Sequence, residues 1–185
     1  AKLGQQFIIE NKPGAGGTIA AAQVAKSEAY GYTILVHSSG HVANPAIYTN
    51  LSYDTLKDLS GVVPMAALPN VLVVAPNRGW KTVGDLVAEA KAKPGKLNYA
   101  SAGVGAATHL NAEKFKMQAV FDAVHVPYKG TPEAITDVIG GRADWYFSPL
   151  SAALPLIKDG KILPLAVSTP QRTPALPQVP TTVEA

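Results

Sequence analysis

Residues 97–116 read Leu-Asn-Tyr-Ala-Ser-Ala-Gly-Val-Gly-Ala-Ala-Thr-His-Leu-Asn-Ala-Glu-Lys-Phe-Lys and hold the residue types best suited to gripping an anion. A short β run, Leu97 to Ala100, meets a loop of tiny residues, Ser101 to Gly105, and a helical pattern follows. A strand, a tight turn and a helix N-terminus leave unpaired backbone N–H groups and the positive end of a helix dipole facing solvent. Tiny side chains let a ligand approach that backbone. Ser101 and Thr108 add hydroxyl donors, and His109 adds an imidazole that can serve a ligand or cap neighbouring backbone. The expected chemistry is capture of a small carboxylate, with the backbone at Gly103, Gly105 and Ala106 receiving it. An ordinary βα turn favours the same residues, so the loop alone leaves both readings open.

Two further stretches carry suitable groups. Ser38-Ser39-Gly40-His41 is a polar loop, followed by Asn44-Pro45. Lys129-Gly130-Thr131-Pro132-Glu133 is a second helix start, with Thr131 as N-cap, Pro132 in the first helical position and Glu133 complementing the dipole. Ser38, Ser39, Ser101, Thr108 and Thr131 are the candidate hydroxyl donors.

Other chemistries find less support. Gly14-Ala15-Gly16-Gly17-Thr18 follows a β run and opens a helix, but lacks the Gly-Lys-Ser/Thr of a P-loop and the last Gly of a dinucleotide fingerprint. Gly103 to Thr108 comes closer to that fingerprint, yet Asp122 precedes the following strand instead of ending it. A nucleotide-dependent oxidoreductase is the rival reading. His37 and His41 are four apart in a loop with no carboxylate beside them, which does not make a zinc site. No Gly-x-Ser-x-Gly elbow or close carboxylate pair is present.

Length and composition narrow the classes. A chain of 185 residues can bury roughly 70% of its unfolded surface. Apolar residues make up 47% and charged residues 16%, a globular balance. The net charge of +3 is scattered, which argues against nucleic acid and mildly favours small anions. Cysteine is absent, so thiolate metal sites, disulfides and Cys nucleophiles are excluded. No apolar run approaches the ~20 residues of a membrane span, and no leader-type segment stands out. Both ends read as interrupted: Ala-Lys-Leu-Gly-Gln-Gln as the end of a helix, Thr-Val-Glu-Ala as the start of another segment.

The elements that must position these residues alternate. β runs are expected at 5–10, 32–37, 60–67, 71–75, 97–100, 124–128, 144–147 and 162–168. Helices are expected at 19–26 with Thr18 as N-cap, near 42–48 with Pro45 in the first turn, from Thr82 to about Lys93, from the central loop onward, from Thr131 to Gly140, and over 150–158. Asp85, three residues after Thr82, completes a capping-box pattern, and Val83, Leu86, Val87 and Ala90 share one face. Val71 to Ala75 is apolar throughout and reads as a strand buried on both faces. Trp80 reads as surface packing and Trp145 as core. From Thr169 the chain is Pro-rich and irregular. Alternating strands and helices predict an α/β fold with a mostly parallel sheet, in which the loops at 37–44, 101–109 and 128–133 sit at strand carboxyl ends.

Several segments taken together carry a family resemblance. Ile9-Glu10-Asn11-Lys12-Pro13-Gly14-Ala15-Gly16-Gly17, His41-x-x-Asn44-Pro45, Lys91-Ala92-Lys93-Pro94-Gly95-Lys96-Leu97, Ser101-Ala102-Gly103-x-Gly105, His109-Leu110, Val126-Pro127-Tyr128-Lys129-Gly130 and Ala175-Leu176-Pro177-x-Val179-Pro180-Thr181 follow one another in this order. The chain resembles the substrate-binding proteins of tripartite tricarboxylate transporters, the Bug family, along essentially its whole length. The resemblance implies a type II periplasmic-binding-protein-like fold of two α/β domains with a cleft between them, one holding residues 1–75 and 165–185 and the other 76–164. It implies a periplasmic receptor, not an enzyme, that closes on a dicarboxylate, tricarboxylate or aromatic acid, with permease subunits as partners and no cofactor or metal. The candidate ligand set is Ser38, Ser39, His41, Asn44, Ser101, Gly103, Gly105, Ala106, Thr108, His109 and Thr131.

The chain departs from the family in three respects. The family's first strand with its helix, and the closing helices of the first domain, have no counterpart, which would leave edges open to self-association and makes a receptor remnant an alternative. Ala106 stands where a Ser or Thr is usual. Ser148 stands where many members carry Asp, which suits a different or less cationic solute.

Overall fold

The computed structural model describes residues 4–185; the helix end expected at residues 1–3 lies outside them. Five strands form one sheet: β1 (Asn70–Val74), β2 (Asn98–Ser101), β3 (Val124–Pro127), β4 (Trp145–Pro149) and β5 (Leu163–Val167). Their order is β3-β2-β4-β1-β5. β2 runs parallel to β3 and β4, whereas β1 runs antiparallel to β4 and β5. The expected mostly parallel sheet is therefore a mixed one. β1 carries no helix before it in the sheet and enters from a long irregular segment, so nothing forces it into the βαβ direction.

Alternation across the sheet builds two cores. Leu72, Val74, Tyr99, Trp145 and Phe147 face α3 (Val83–Ala92) and α4 (Ala107–Ala119). Val71, Val73, Ala100, Tyr146 and Val167 face α5 (Thr131–Ile139) and α6 (Leu150–Lys158). β1 is buried along its whole length, as its unbroken apolar run requires. Pro164 is tolerated because β5 is an edge strand, and the β1–β5 register shifts between Leu72 and Val73, beside it.

Local signals act where a single residue closes them. Thr82 accepts from the Asp85 N–H, and the Asp85 carboxylate accepts from the Thr82 N–H, so the capping box is complete. Val83, Leu86 and Ala90 are buried on the expected face. Trp80 is buried, not superficial: its indole N–H donates to Glu89 at 2.7 Å and its ring joins the α3 core. Asp144 fixes the register of two strands. Its carboxylate accepts the Asn98 N–H at 2.6 Å and pairs with Arg78.

Two helix starts differ from expectation. Gly17 caps α1 (Thr18–Ala25) in the left-handed region at φ 86°, and Thr18 is the first helical residue, donating to the Ala15 carbonyl. Gly130 caps α5, with Thr131 already helical. At Gly17 the left-handed conformation suits a glycine better than a threonine, whereas Gly130 is extended at φ −176°, a conformation open to any residue. α2 (Gly40–Ile47) begins earlier than expected, so Pro45 lies in its second turn.

The runs at 5–10, 32–37 and 60–67 are not strands. They are irregular, with apolar side chains outward; Phe7, Ile8, Ile9, Tyr32, Ile34, Val36, Val62 and Val63 are each at least 60% exposed. A β run becomes a strand only when a neighbour takes its N–H and C=O groups, and no described residue takes the backbone groups of these runs. α1 and α2 flank this irregular region and pack on the loops at the end of the sheet.

Truncation of Leu72 removes a wholly buried side chain, so Leu72→Ala is expected to cost about 2–5 kcal/mol. Thr82→Ala removes only a cap and is expected to cost about 1 kcal/mol. Urea denaturation checks both, and equal losses would contradict this placement of the core. Ala106 is the N-cap of α4 with extended backbone (φ −63°, ψ 154°) and no side-chain cap. Ala106→Ser is therefore expected to raise stability by about 0.5–1 kcal/mol; a loss in the same titration would mean that the position lacks room for the hydroxyl.

Candidate functional site

Three loops converge at the N-terminus of α4. The central loop leaves β2 at Ser101 and reaches α4 through Gly103 and Gly105, whose φ values are 120° and 79°. A Cβ on Gly40, at the start of α2, would meet the Gly105 carbonyl oxygen at 2.6 Å. A Cβ on Gly16 would meet the Val104 carbonyl oxygen, which also accepts the Tyr48 hydroxyl at 2.7 Å. These contacts are backbone against backbone, which only glycine permits at such range. Gly103 lies between Gly16 and the Tyr128 carbonyl, which brings the 128–131 turn to the same place.

The central loop's own amides are largely engaged. The Gly103 N–H donates to Ser101 Oγ at 3.1 Å, and the Gly105 N–H to His109 Nδ1 at 3.3 Å. The Ala106 N–H donates to the Gly103 carbonyl, and the Ala102 N–H to Thr108 Oγ1 at 2.9 Å. The donors expected at Gly103, Gly105 and Ala106 are thus held internally in this conformation. The Val104, Ala107 and Thr108 N–H groups donate no bond among the described residues, as is usual where a helix begins.

Beneath the loop lies an aromatic and imidazole cluster that sequence reasoning missed. Ser101 Oγ lies 2.6 Å from His125 Nε2. The His125 ring stacks on His109 at 4.2 Å and on Tyr99 at 4.8 Å. Tyr99 donates to Glu113, whose carboxylate also accepts Lys116 at 3.0 Å, and the Lys116 ammonium sits 5.2 Å above the Tyr99 ring. Burial, with His109 and Lys116 adding positive charge, pushes His125 down to about 4. Burial lowers His109 as well, although Glu113 works the other way. Burial and the Glu113 carboxylate raise the Tyr99 hydroxyl. Burial raises Glu113, but Tyr99 and Lys116 outweigh it and hold the carboxyl below its usual range.

Tyr146 joins two of the expected hydroxyls. It is fully buried, lies 3.0 Å from Thr131 Oγ1, and has the Thr108 hydroxyl beside its own. Burial pushes its own hydroxyl up to about 12. Thr108 and Thr131 are therefore brought together, with Ser101 on the next strand.

Across the loop, Asn44 is wholly buried, and neither its amide nitrogen nor its amide oxygen has a partner among the described residues. Its Oδ1 lies 3.1 Å from where a Gly105 Cβ would be. Buried amides are almost always bonded, so this one marks a place where a polar group is wanted. His41 and His37 stand nearby with rings 5.1 Å apart, and His41 also stacks on Tyr53. Burial first and His37 second lower His41. Among the described residues no group of three His, Cys, Asp or Glu could hold a metal ion. Ser38 and Ser39 are exposed at the rim. Ser148 is buried in β4 and donates to the Pro149 carbonyl at 3.3 Å.

Asp122 lies at the far end of α4, lining an open groove of about 590 Å³ with Lys91, Pro94, Lys116 and Phe121. It is therefore not placed to hold a ribose bound at the Gly103 loop. Tyr48, His125 and Tyr146 were missed because each meets the loop from a segment distant in sequence; Tyr99 and Glu113 lie within 97–116, but their pairing with each other forms only when α4 packs on β2. The tiny-residue loop signalled the site; only the chain's folding could supply its walls.

Comparison with known proteins adds a family. The profile of the tripartite tricarboxylate transporter family receptor matches residues 1–185. A protein of Pseudomonas sp. strain P51, described as a UPF0065 protein in the tcbD-tcbE intergenic region, is 36% identical over 183 residues, covering 99% of this chain and 54% of its own length. Among solved structures, an R. palustris protein with adipate superposes with a TM-score of 0.95 at 37% identity, over 100% of this chain and 62% of that one. MatC from Rhodopseudomonas palustris with bound malate gives 0.92 at 30% identity, over 99% and 63%. The chain spans little more than half the length of its Pseudomonas relative. With the profile matched from end to end and the same fold in carboxylate-bound relatives, the chain belongs to the tripartite tricarboxylate transporter receptor family.

Proposed function

We propose that this chain forms the carboxylate-gripping part of an extracytoplasmic solute receptor, with a linear dicarboxylate as the preferred class. The observation that carries the reading is Asn44: a buried, unpartnered amide beside Gly105, where the free end of α4 opens. One carboxylate oxygen would accept from the Ala107 and Thr108 N–H groups and the helix dipole would offset its charge. The Asn44 amide would meet the other oxygen. Thr131, Tyr146 and Thr108 form the neighbouring hydroxyl set, and His41, Ser38 and Ser39 form the rim. Gly103, Gly105 and Ser101 shape the backbone around the anion, while His109 borders it. Adipate and malate in the two structural relatives support the dicarboxylate class.

The family is one of receptors, which supports reading this chain as a binding protein and not an enzyme. In this reading residues 76–164 form one lobe and residues 1–75 with 165–185 the other, and β1 and β5, paired with each other and through β1 with β4, are the strands by which the chain crosses between them. Permease subunits of a tripartite system are the implied partners, and the periplasm the implied location. No helix among the described residues is long and apolar enough to cross a membrane. The exposed apolar runs at 5–10 and 32–37 would favour self-association.

Calorimetric titration with adipate, malate, benzoate and acetate tests the reading. Dicarboxylates are expected to bind more tightly than monocarboxylates, and absence of binding by all four overturns it. Asn44→Ala is expected to weaken adipate binding by roughly 10- to 100-fold, since a charged partner would lose a buried hydrogen bond; unchanged affinity in the same titration would remove Asn44 from the site. Gly40→Ala should also weaken binding, because the added methyl would force the Gly105 carbonyl away. A Gly40→Ala protein that binds normally would show that the α2 contact does not shape the site.

A further inference from the structure

The His109 contact offers a way to couple the site to a proton. His109 Nδ1 accepts the Gly105 N–H at 3.3 Å, so in this conformation that nitrogen carries no proton and Nε2 does. An imidazolium has two N–H groups and accepts from neither nitrogen. Protonating His109 must therefore break the Gly105 contact and free that amide at the mouth of the site. It would also place a positive charge next to the bound anion.

We propose that His109 is a positioning residue that couples carboxylate binding to proton uptake: neutral, it withholds the Gly105 N–H; protonated, it releases that donor to the ligand. The inference rests on the carboxylate reading above and names how that site is regulated. The groups around His109 are consistent with the coupling. From β2 comes Tyr99, with ring centroids 6.4 Å apart, and from β3 comes His125, stacked at 4.2 Å. From α4 itself come Glu113, which favours the charged imidazole, and Lys116, which opposes it. The loop side contributes only the Gly105 amide, and no charged residue lies within the 101–106 loop. Burial keeps His109 below its ordinary value, so it is mainly neutral near pH 7. A carboxylate placed beside it favours the charged form, and by linkage the proton favours the carboxylate. His125 is pushed to about 4 and stays neutral across the assay range, so the two rings do not titrate together.

The sign follows directly. The ligand raises the proton affinity of His109, so the complex binds more protons than the free protein, and affinity rises as pH falls. Calorimetric titration of adipate at pH 6.5 in two buffers of different ionisation heat is expected to reveal uptake of a fraction of a proton. Affinity is expected to strengthen by roughly threefold or more between pH 8 and pH 6.5. His109→Gln keeps an acceptor for the Gly105 N–H but does not titrate, so its adipate binding should show no proton uptake beyond that of the buffer and ligand. Unmodified protein that binds adipate with no uptake and a pH-independent Kd overturns the inference and leaves the carboxylate reading standing. A His109→Gln protein with undiminished uptake also overturns it. Absence of adipate binding at every pH overturns both. The uptake measurement on the unmodified protein decides the matter even where the variant does not fold.

Discussion

The site depends on backbone meeting backbone. At Gly40 against the Gly105 carbonyl, and at Gly16 against the Val104 carbonyl, there is no room for even a methyl group. Those contacts press the 14–17 and 38–41 loops onto the central loop, and they fix where the N-terminus of α4 opens. Without them, Asn44 would have no reason to be buried and the Val104, Ala107 and Thr108 amides would face bulk water. The binding chemistry is thus a consequence of close approach, with side chains adding the detail.

The scaffold behind the loop supplies rigidity. β2 carries Ser101 into place, β4 carries Tyr146, and the Asn98–Asp144 pair holds these two strands in register. Two cores, one on each face of the sheet, leave no slack behind the loop. The His125, Tyr99, Glu113 and Lys116 cluster is mostly out of contact with the site's opening. It acts by holding Ser101 and His109, which in turn hold the Gly103 and Gly105 amides. Burial there keeps imidazoles neutral, so they serve as acceptors.

What the sequence revealed was what local chemistry decides. The Thr82–Asp85 capping box, the doubly buried run at β1 and the strand–loop–helix at 97–116 all close within a few residues, and each is present in the structure. The strands expected at 5–10, 32–37 and 60–67 are not, because pairing is non-local and the alternation of Phe7, Ile9, Ile34 and Val36 cannot say who the neighbour is. The caps at Thr18 and Thr131 went to the preceding glycines, a choice between adjacent residues that propensity decides weakly. At the site, the glycine and hydroxyl residues of the loop were legible. Their partners, His125, Tyr146 and Tyr48, were not, since parallel pairing and a loop contact 56 residues away in sequence bring them in.

The central claim is that a carboxylate sits at the free end of α4 beside Asn44. Backbone and side-chain amide NMR during titration with a dicarboxylate tests it most directly. The expected result is that the Val104, Ala107 and Thr108 amides and the Asn44 side-chain amide shift most. Shifts confined to the groove of Lys91, Lys116 and Phe121 at the other end of α4, with these four unmoved, would contradict it.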